Sequence, residues 1–168
     1  MKIYYLAGDV TKPIGDGCKV IVHCCNDIGV MGAGVALAIA NKWPNAKKAY
    51  STLHKSAGLC LGQVQLVKVD YNIVICNLIG QRGVGPQTID GTTLPPIRYE
   101  AIYEGLLRLR ARISAADIPI SIHAPRFGCG LAGGIWDGSS THCILSCIKD
   151  VFEDTNIDIY VYDFKEPK

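Results

Sequence analysis

Residues 22–37 read VHCCNDIGVMGAGVAL. The stretch opens as an apolar strand, breaks at Cys25-Asn26-Asp27, passes through glycines 29, 32 and 34, and closes on residues fit for a helix. A strand that hands over to a helix through glycines lets backbone N–H groups approach an anion, and the helix start favours negative charge. A second stretch repeats the plan: residues 120–137, ISIHAPRFGCGLAGGIWD, again read as strand, glycine loop and helix. Glycines also serve tight turns, so one such loop says little. Two of them, leaving the same sheet edge, would close on a diphosphate from two sides.

The rest of the chain supplies the sheet. Strands are predicted over Lys2–Ala7, Lys19–Cys25, Gln63–Val69, Ile73–Leu78, Ile118–His123 and Ile157–Phe164. Helices are predicted over residues 34–42, stopped by Trp43-Pro44, over about Asn45 to Lys55, over Tyr99–Ile113 by its Ile102, Leu106, Leu109, Ile113 stripe, and over about Trp136–Phe152. Residues 81–96, QRGVGPQTIDGTTLPP, read as one long loop, a length that inside a compact domain is usually functional or mobile. Several strands are almost continuously apolar, which implies a sheet covered on both faces by helices. The predicted class is α/β, a three-layer α/β/α arrangement around a central mixed β-sheet, with residues 1–168 as a single domain.

Composition narrows the function. The chain has 168 residues, 49% of them apolar and 19% charged, with a formal net charge of +2, which argues for a packed core and against disorder. Lys42, Lys47, Lys48 and Lys55 crowd one segment without interleaved aromatic residues, the pattern of a solvated helix face rather than a nucleic-acid groove. The opening MKIYYLAGDV is too sparsely apolar for a secretory leader and reads as a first strand. No apolar run approaches the roughly 20 residues of a membrane span. Eight cysteines, at 18, 24, 25, 60, 76, 129, 143 and 147, lack the paired spacing of a disulfide scaffold or a zinc site. His142, Cys143 and Cys147 lie at helical spacing with no second ligand pair to answer them, so no metal is expected. Buried thiols in a reducing cytosol account for the count, and the expected location is cytoplasmic.

Gly128-Cys-Gly130-Leu-Ala-Gly133 matches the spacing of the dinucleotide fingerprint, but that fingerprint belongs early in a Rossmann half with further βαβ units after it. Here one helix and one strand remain. The first loop, Gly32-Ala-Gly34-Val-Ala-Leu37, lacks the third glycine. Asp9, just past the first strand, can cap a turn or accept a hydrogen bond from an exocyclic amine such as that of adenine. An acid beside two phosphate-type loops points to an adenine-diphosphate-ribose ligand.

Several side chains carry two readings. His23, near the carboxyl end of its strand, can act as a general acid or base, or sit in the core bonded to a backbone carbonyl, which is the commoner case. Asn26 can orient a ribose hydroxyl or a water, or form an Asn-Asp turn. Asp137 can hold a water, or complement the dipole of the helix expected to begin beside it. His123 is expected to pack, and the hydroxyls of Thr92, Thr93 and Ser139 read as ordinary loop groups.

The motifs GDV at 8–10, NDIGVMGAGVAL at 26–37, PRFGCGLAGG at 125–134 and the terminal strand IYVYDF at 159–164 together resemble the macrodomain family of ADP-ribose-binding modules, along almost the whole chain. Within it, residues 21–50 look most like the branch of the yeast-type ADP-ribose 1''-phosphate phosphatases. That branch also holds the terminal ADP-ribose glycohydrolases and the antitoxins that strip ADP-ribose from DNA. The resemblance implies that Asp9 binds the adenine amine and that Val10 offers a nearby N–H. It implies that Asn26 faces the distal ribose and that Tyr162 or Phe164 lies against the adenine. The diphosphate would rest on Gly32, Ala33, Gly34 and Val35 and on Gly128, Cys129, Gly130, Leu131 and Ala132, with Phe127 beside them. The implied partner is ADP-ribose or a derivative, free or carried on protein or nucleic acid, with no cofactor, no membrane and a monomeric state. The glycohydrolases use a lysine where this chain has Gln81, and some use an aspartate where it has Ala132, whereas phosphatase-like members carry a histidine at the position of His23. Neither Gln81 nor Arg82 can supply a nucleophilic amine. The expected activity is hydrolysis at the distal ribose, and the alternatives are a reader without chemistry or an eraser acting without the lysine.

Overall fold

The computed structural model describes residues 1–138 and 142–164. Its elements in chain order are β1 (Ile3–Ala7), β2 (Cys18–Asn26), α1 (Gly34–Lys42), α2 (Pro44–Ala57), β3 (Val64–Asp70), β4 (Ile73–Gln81), β5 (Gln87–Ile89), β6 (Thr92–Leu94), α3 (Tyr99–Ile113), β7 (Ile120–Pro125), α4 (Ile144–Phe152) and β8 (Ile159–Asp163). Six strands form one sheet in the order β1-β8-β7-β2-β4-β3. Only the β3–β4 pair is antiparallel, so the sheet is mixed, as expected, and five strands end on one edge.

The apolar runs of β2 and β4 are buried along nearly their whole length because both faces are covered. On one face α3 and α4 pack against Val20, Val22, Leu78, Ile122 and Ala124. Ala101, Ile102, Gly105, Leu106, Leu109 and Ile113 form the buried stripe of α3. Gly105 permits the close approach: a Cβ there would lie 2.7 Å from Leu78 Cγ. On the other face Ile39 of α1 and Ala46 of α2, with Trp43 between the two helices, meet Ile21 and Ile75. The α1–α2 corner follows from local chemistry. Trp43 leaves helical geometry at φ −130°, its N–H donates to the Ile39 carbonyl at 2.8 Å, and Pro44 opens α2 where a missing N–H costs nothing.

Two differences from the sequence reading have physical causes. Residues 87–94 form a hairpin inside the long loop, turned by Asp90 and Gly91, both at positive φ. Helix α4 begins at Ile144 rather than near Trp136, because the Cys143 thiol accepts the Ser146 N–H at 3.4 Å and caps the helix there. Helix α1, almost wholly apolar, fully buries only Ile39 and Ala40 and leaves Leu37 exposed. Ser139 lies outside the described residues.

Candidate functional site

Because β1, β8, β7, β2 and β4 run parallel, the residues just past their carboxyl ends share one edge of the sheet, where open α/β folds bind ligands. A cleft of about 520 Å³ opens there, within the usual range for small-molecule sites. Its walls are residues 24–26 at the end of β2, Val30–Ala36 from the first glycine loop and the start of α1, Gln81 at the end of β4 and Val84 past it, and Pro125 at the end of β7 with residues 126–128 and 130–132 past it.

The glycines divide into two groups. At Gly32, Gly34 and Gly130 an added Cβ would meet no atom within 4 Å, so these positions face the open cleft. Gly128 is structural: its φ is +75°, and a Cβ would lie 2.8 Å from Ile97 Cδ1. The Gly134 N–H donates to the Gly128 carbonyl at 2.7 Å and closes the second loop. Helix α1 starts at Gly34 with no acid in its first turn, so its unpaired N–H groups and dipole face the cleft uncompensated.

Asn26 lines the cleft, but its side chain also builds the first loop. Its Oδ1 accepts N–H bonds from Ile28 at 3.2 Å and Val30 at 3.0 Å, and the Tyr50 hydroxyl at 2.8 Å, while Nδ2 donates to the Val30 carbonyl at 2.6 Å. The turn-forming alternative is therefore present, and the residue both shapes and walls the site. Asp27 ties the neighbouring loop in place, its Oδ1 accepting the Gly83 N–H at 2.8 Å.

His23 does not line the cleft. It is fully buried, and its Nε2–H donates to Asn77 Oδ1 at 2.6 Å. Asn77 Nδ2 donates to Gln65 Oε1 at 3.1 Å, and Gln65 Nε2 to the Ala49 carbonyl at 3.0 Å, so a polar chain crosses three strands into α2. Burial lowers the imidazole to about 4, against the opposing pull of Asn77. At neutral pH His23 is an uncharged core group, bonded to the Asn77 side chain rather than to the backbone carbonyl expected of a core histidine.

Asp9 sits at the β1 end of the same edge. Its Oδ1 accepts the Thr11 N–H at 2.9 Å and hydroxyl at 2.8 Å, which leaves Oδ2 without a donor among the described residues. Turn capping thus occupies one carboxylate oxygen and leaves the other open. Val10 is buried beside it. Tyr162 is only 5% exposed, and its hydroxyl accepts the Ile14 N–H at 3.1 Å and meets His123 Nδ1 at 2.9 Å, so it supports the loop after β1 rather than presenting an open face. Phe164 is 68% exposed at the end of β8. Asp137 is exposed, lies on no helix and is absent from the cleft wall, because α4 starts seven residues later. Cys129 is not part of the wall either; its thiol lies 3.6 Å from the Phe127 carbonyl. Phe127 serves both core and cleft, edge-on to Trp136.

Sequence reasoning did not name Cys24, Cys25, Val30, Met31, Ala36, Val84, Pro125 or Arg126 among the site residues, and all of them line the cleft. Cys24 and Cys25 point to opposite faces of β2, as strand geometry requires, and burial pushes both thiols up, Cys24 to about 12. Neither is a thiolate nucleophile at neutral pH. All eight cysteines are free, and the described residues hold no cluster of three metal-ligating side chains.

A three-layer fold with two glycine loops facing each other over a cleft, and an acid at one end of the same edge, defines an α/β domain with an open cleft at the carboxyl edge of its sheet. No family model matches the chain. A macrodomain protein from Streptomyces coelicolor is 33% identical, with 96% of this chain and 99% of that one aligned at a TM-score of 0.76. The chain belongs to the macrodomain family. A protein of unknown function from Bacteroides thetaiotaomicron is 41% identical over 97% of this chain and 98% of its own, with a TM-score of 0.87. An ADP-ribose 1''-phosphate phosphatase from Candida albicans is 27% identical over 95% of this chain and 99% of its own length. Against the mouse chromodomain-helicase-DNA-binding protein 1-like, 29% identical, the chain spans only 18% of the relative's length.

Proposed function

We propose that the protein binds ADP-ribose across the carboxyl edge of its sheet and hydrolyses an ADP-ribose derivative at the distal ribose. One observation carries the reading: Gly32 and Gly34 from one loop and Gly130 from the other face the same open cleft, beside the start of α1. A diphosphate laid there meets backbone N–H groups from both sides. Its adenine then reaches the end of β1, where the second oxygen of Asp9 can accept the exocyclic amine and Phe164 offers an exposed ring. The distal ribose lies toward Asn26, Gln81 and Val84. The resemblance to the Candida phosphatase supports this reading over its full length.

The chemistry asked of the protein is orientation. A clamped diphosphate holds the 1'' position still while water attacks; the C1''–O bond breaks, the phosphate or carboxylate departs with its electron pair, and the proton shed by the water passes to it or to solvent. Gln81 lines the cleft where a lysine adduct would need an amine, so an attached ADP-ribosyl group would be released by water and not through a covalent intermediate on that residue. The free thiols fit a reducing, cytoplasmic setting.

A second reading has its own support. Among the described residues of the cleft wall, no side chain titrates near neutral pH, which is what a reader of ADP-ribose without chemistry would show. Calorimetry with ADP-ribose, followed by incubation with ADP-ribose 1''-phosphate, O-acetyl-ADP-ribose and ADP-ribosylated protein or DNA, tests both. Binding near micromolar, about −8 kcal/mol, is expected. An absence of heat at millimolar ligand ends the reading; heat without turnover of any derivative leaves the reader.

A further inference from the structure

Among the described residues that wall the cleft, Arg126 alone carries a formal charge. It stands directly past the carboxyl end of β7, one residue before the second glycine loop opens, and β7 is the neighbour of β2, which carries the first loop. Its guanidinium is held side-on by Asp163: Nε donates to Oδ1 at 2.6 Å and Nη2 to Oδ2 at 3.1 Å. The rings of Tyr5 and Trp136 lie 5.2 and 5.6 Å from the guanidinium carbon, and Trp136 Nε1 donates to the Tyr5 hydroxyl at 3.4 Å, which braces the two rings. A half-exposed arginine normally keeps its rotamer freedom, and a surface ion pair is worth little. Here three elements, β1, β8 and the segment before α4, fix one arginine at the cleft wall. The side-on pair spends Nε and Nη2, so the two N–H groups of Nη1 have no acceptor among the described residues.

We propose that Arg126 is the residue that pairs with the anionic diphosphate of the ligand, with Asp163, Tyr5 and Trp136 holding its fork ready. The proposal rests on the reading of the cleft as an ADP-ribose site. Loop N–H groups give a phosphate direction and hydrogen bonds but no net charge. A guanidinium adds the charge, and its planar donors match phosphate oxygens. Arg126 thereby sorts ligands by charge: it favours those with the diphosphate and is indifferent to a neutral nucleoside that shares only the adenine and its ribose. Asp163 tempers the cation without cancelling it, because it takes one edge of the fork and leaves the other.

The test compares ADP-ribose with adenosine on wild-type protein, Arg126→Gln, Arg126→Lys and the double variant Arg126→Gln/Asp163→Asn, with melting temperature read alongside. Loss of a charge-assisted hydrogen bond predicts that Arg126→Gln weakens ADP-ribose by about 10- to 100-fold. Adenosine affinity should stay unchanged. The wild-type affinity for ADP-ribose should fall as salt rises from about 0.05 to 0.5 M, and this dependence should shrink in Arg126→Gln but persist in Arg126→Lys. The double variant removes both charges and so separates loss of the arginine from any repulsion by the Asp163 carboxylate; it should remain weak. Wild-type affinity in a folded single or double variant, or a parallel loss for adenosine, overturns the proposal and leaves Arg126 a structural brace. If wild-type protein itself ignores ADP-ribose, the underlying site assignment fails, and that failure is visible before any variant is made.

Discussion

Lowering the pH from 7 to 5 should destabilise this protein through two buried histidines. His23 is held near 4 by burial, and His123 near 4 by burial and the neighbouring Lys19 charge, against about 6.5 for an unfolded chain. Both folded values lie below the unfolded one, so between about pH 6.5 and 4 the unfolded state takes up protons that the folded state refuses. The stability these groups contribute is complete above about 6.5 and is lost as pH falls toward 4. At pH 5 the linkage relation gives a loss on the order of 2 kcal/mol for each histidine, about 4 kcal/mol together, from a total that for ordinary domains is only about 5–15 kcal/mol. Urea titrations at pH 7 and 5 read this directly. With a slope of about 2 kcal/mol per molar, each histidine should move the midpoint by roughly 1 M. His23→Gln keeps a donor for Asn77 but cannot titrate, so it should recover about half of the pH dependence. Equal midpoints at the two pH values in wild-type protein would refute the burial argument. Lost turnover in folded His23→Gln would return His23 to the mechanism.

Two further outcomes test the cleft. Asp9→Ala should weaken ADP-ribose by about 1.5–3 kcal/mol while sparing ribose 5-phosphate, as judged by calorimetry; equal losses would mean that Asp9 serves only the Thr11 turn. Gly130→Glu should abolish binding at an unchanged melting temperature, since its side chain enters open space, whereas Gly128→Ala should lower stability by about 1–3 kcal/mol because of its positive φ and the contact with Ile97. Unchanged affinity in Gly130→Glu would separate the second loop from the ligand.

The boundaries of α1 and α3 were legible because local chemistry sets them: Gly34 and Pro44 flank the first, and the Ile102, Leu106, Leu109, Ile113 stripe runs through the second. The hairpin at 87–94 was read as loop: Asp90-Gly91 between QTI and TTL is a turn signal, but the prolines and glycines around it submerged it. The start of α4 was not, since a cysteine is an unusual cap and only the folded chain brings its sulfur to the Ser146 N–H. The fate of His23 depends on Asn77 and Gln65, 54 and 42 positions away in the chain, which no spacing rule connects. Arg126 escaped notice for the same reason, its partner Asp163 being 37 residues distant.

Site and core therefore respond to pH in different ways. The cleft wall presents loop N–H groups, the start of α1, amides and one guanidinium, none of which titrates between pH 5 and 8. Its thiols are held protonated across that range by burial. His23 and His123, which take up protons over that range only when the chain unfolds, lie in the core behind the sheet edge and act on folding. Affinity per folded molecule should thus be flat from about pH 5 to 8, while the folded fraction under stress is not. A fall in apparent binding at pH 5 that follows the unfolding curve measures the core, and one that precedes unfolding would place a titrating group in the cleft after all.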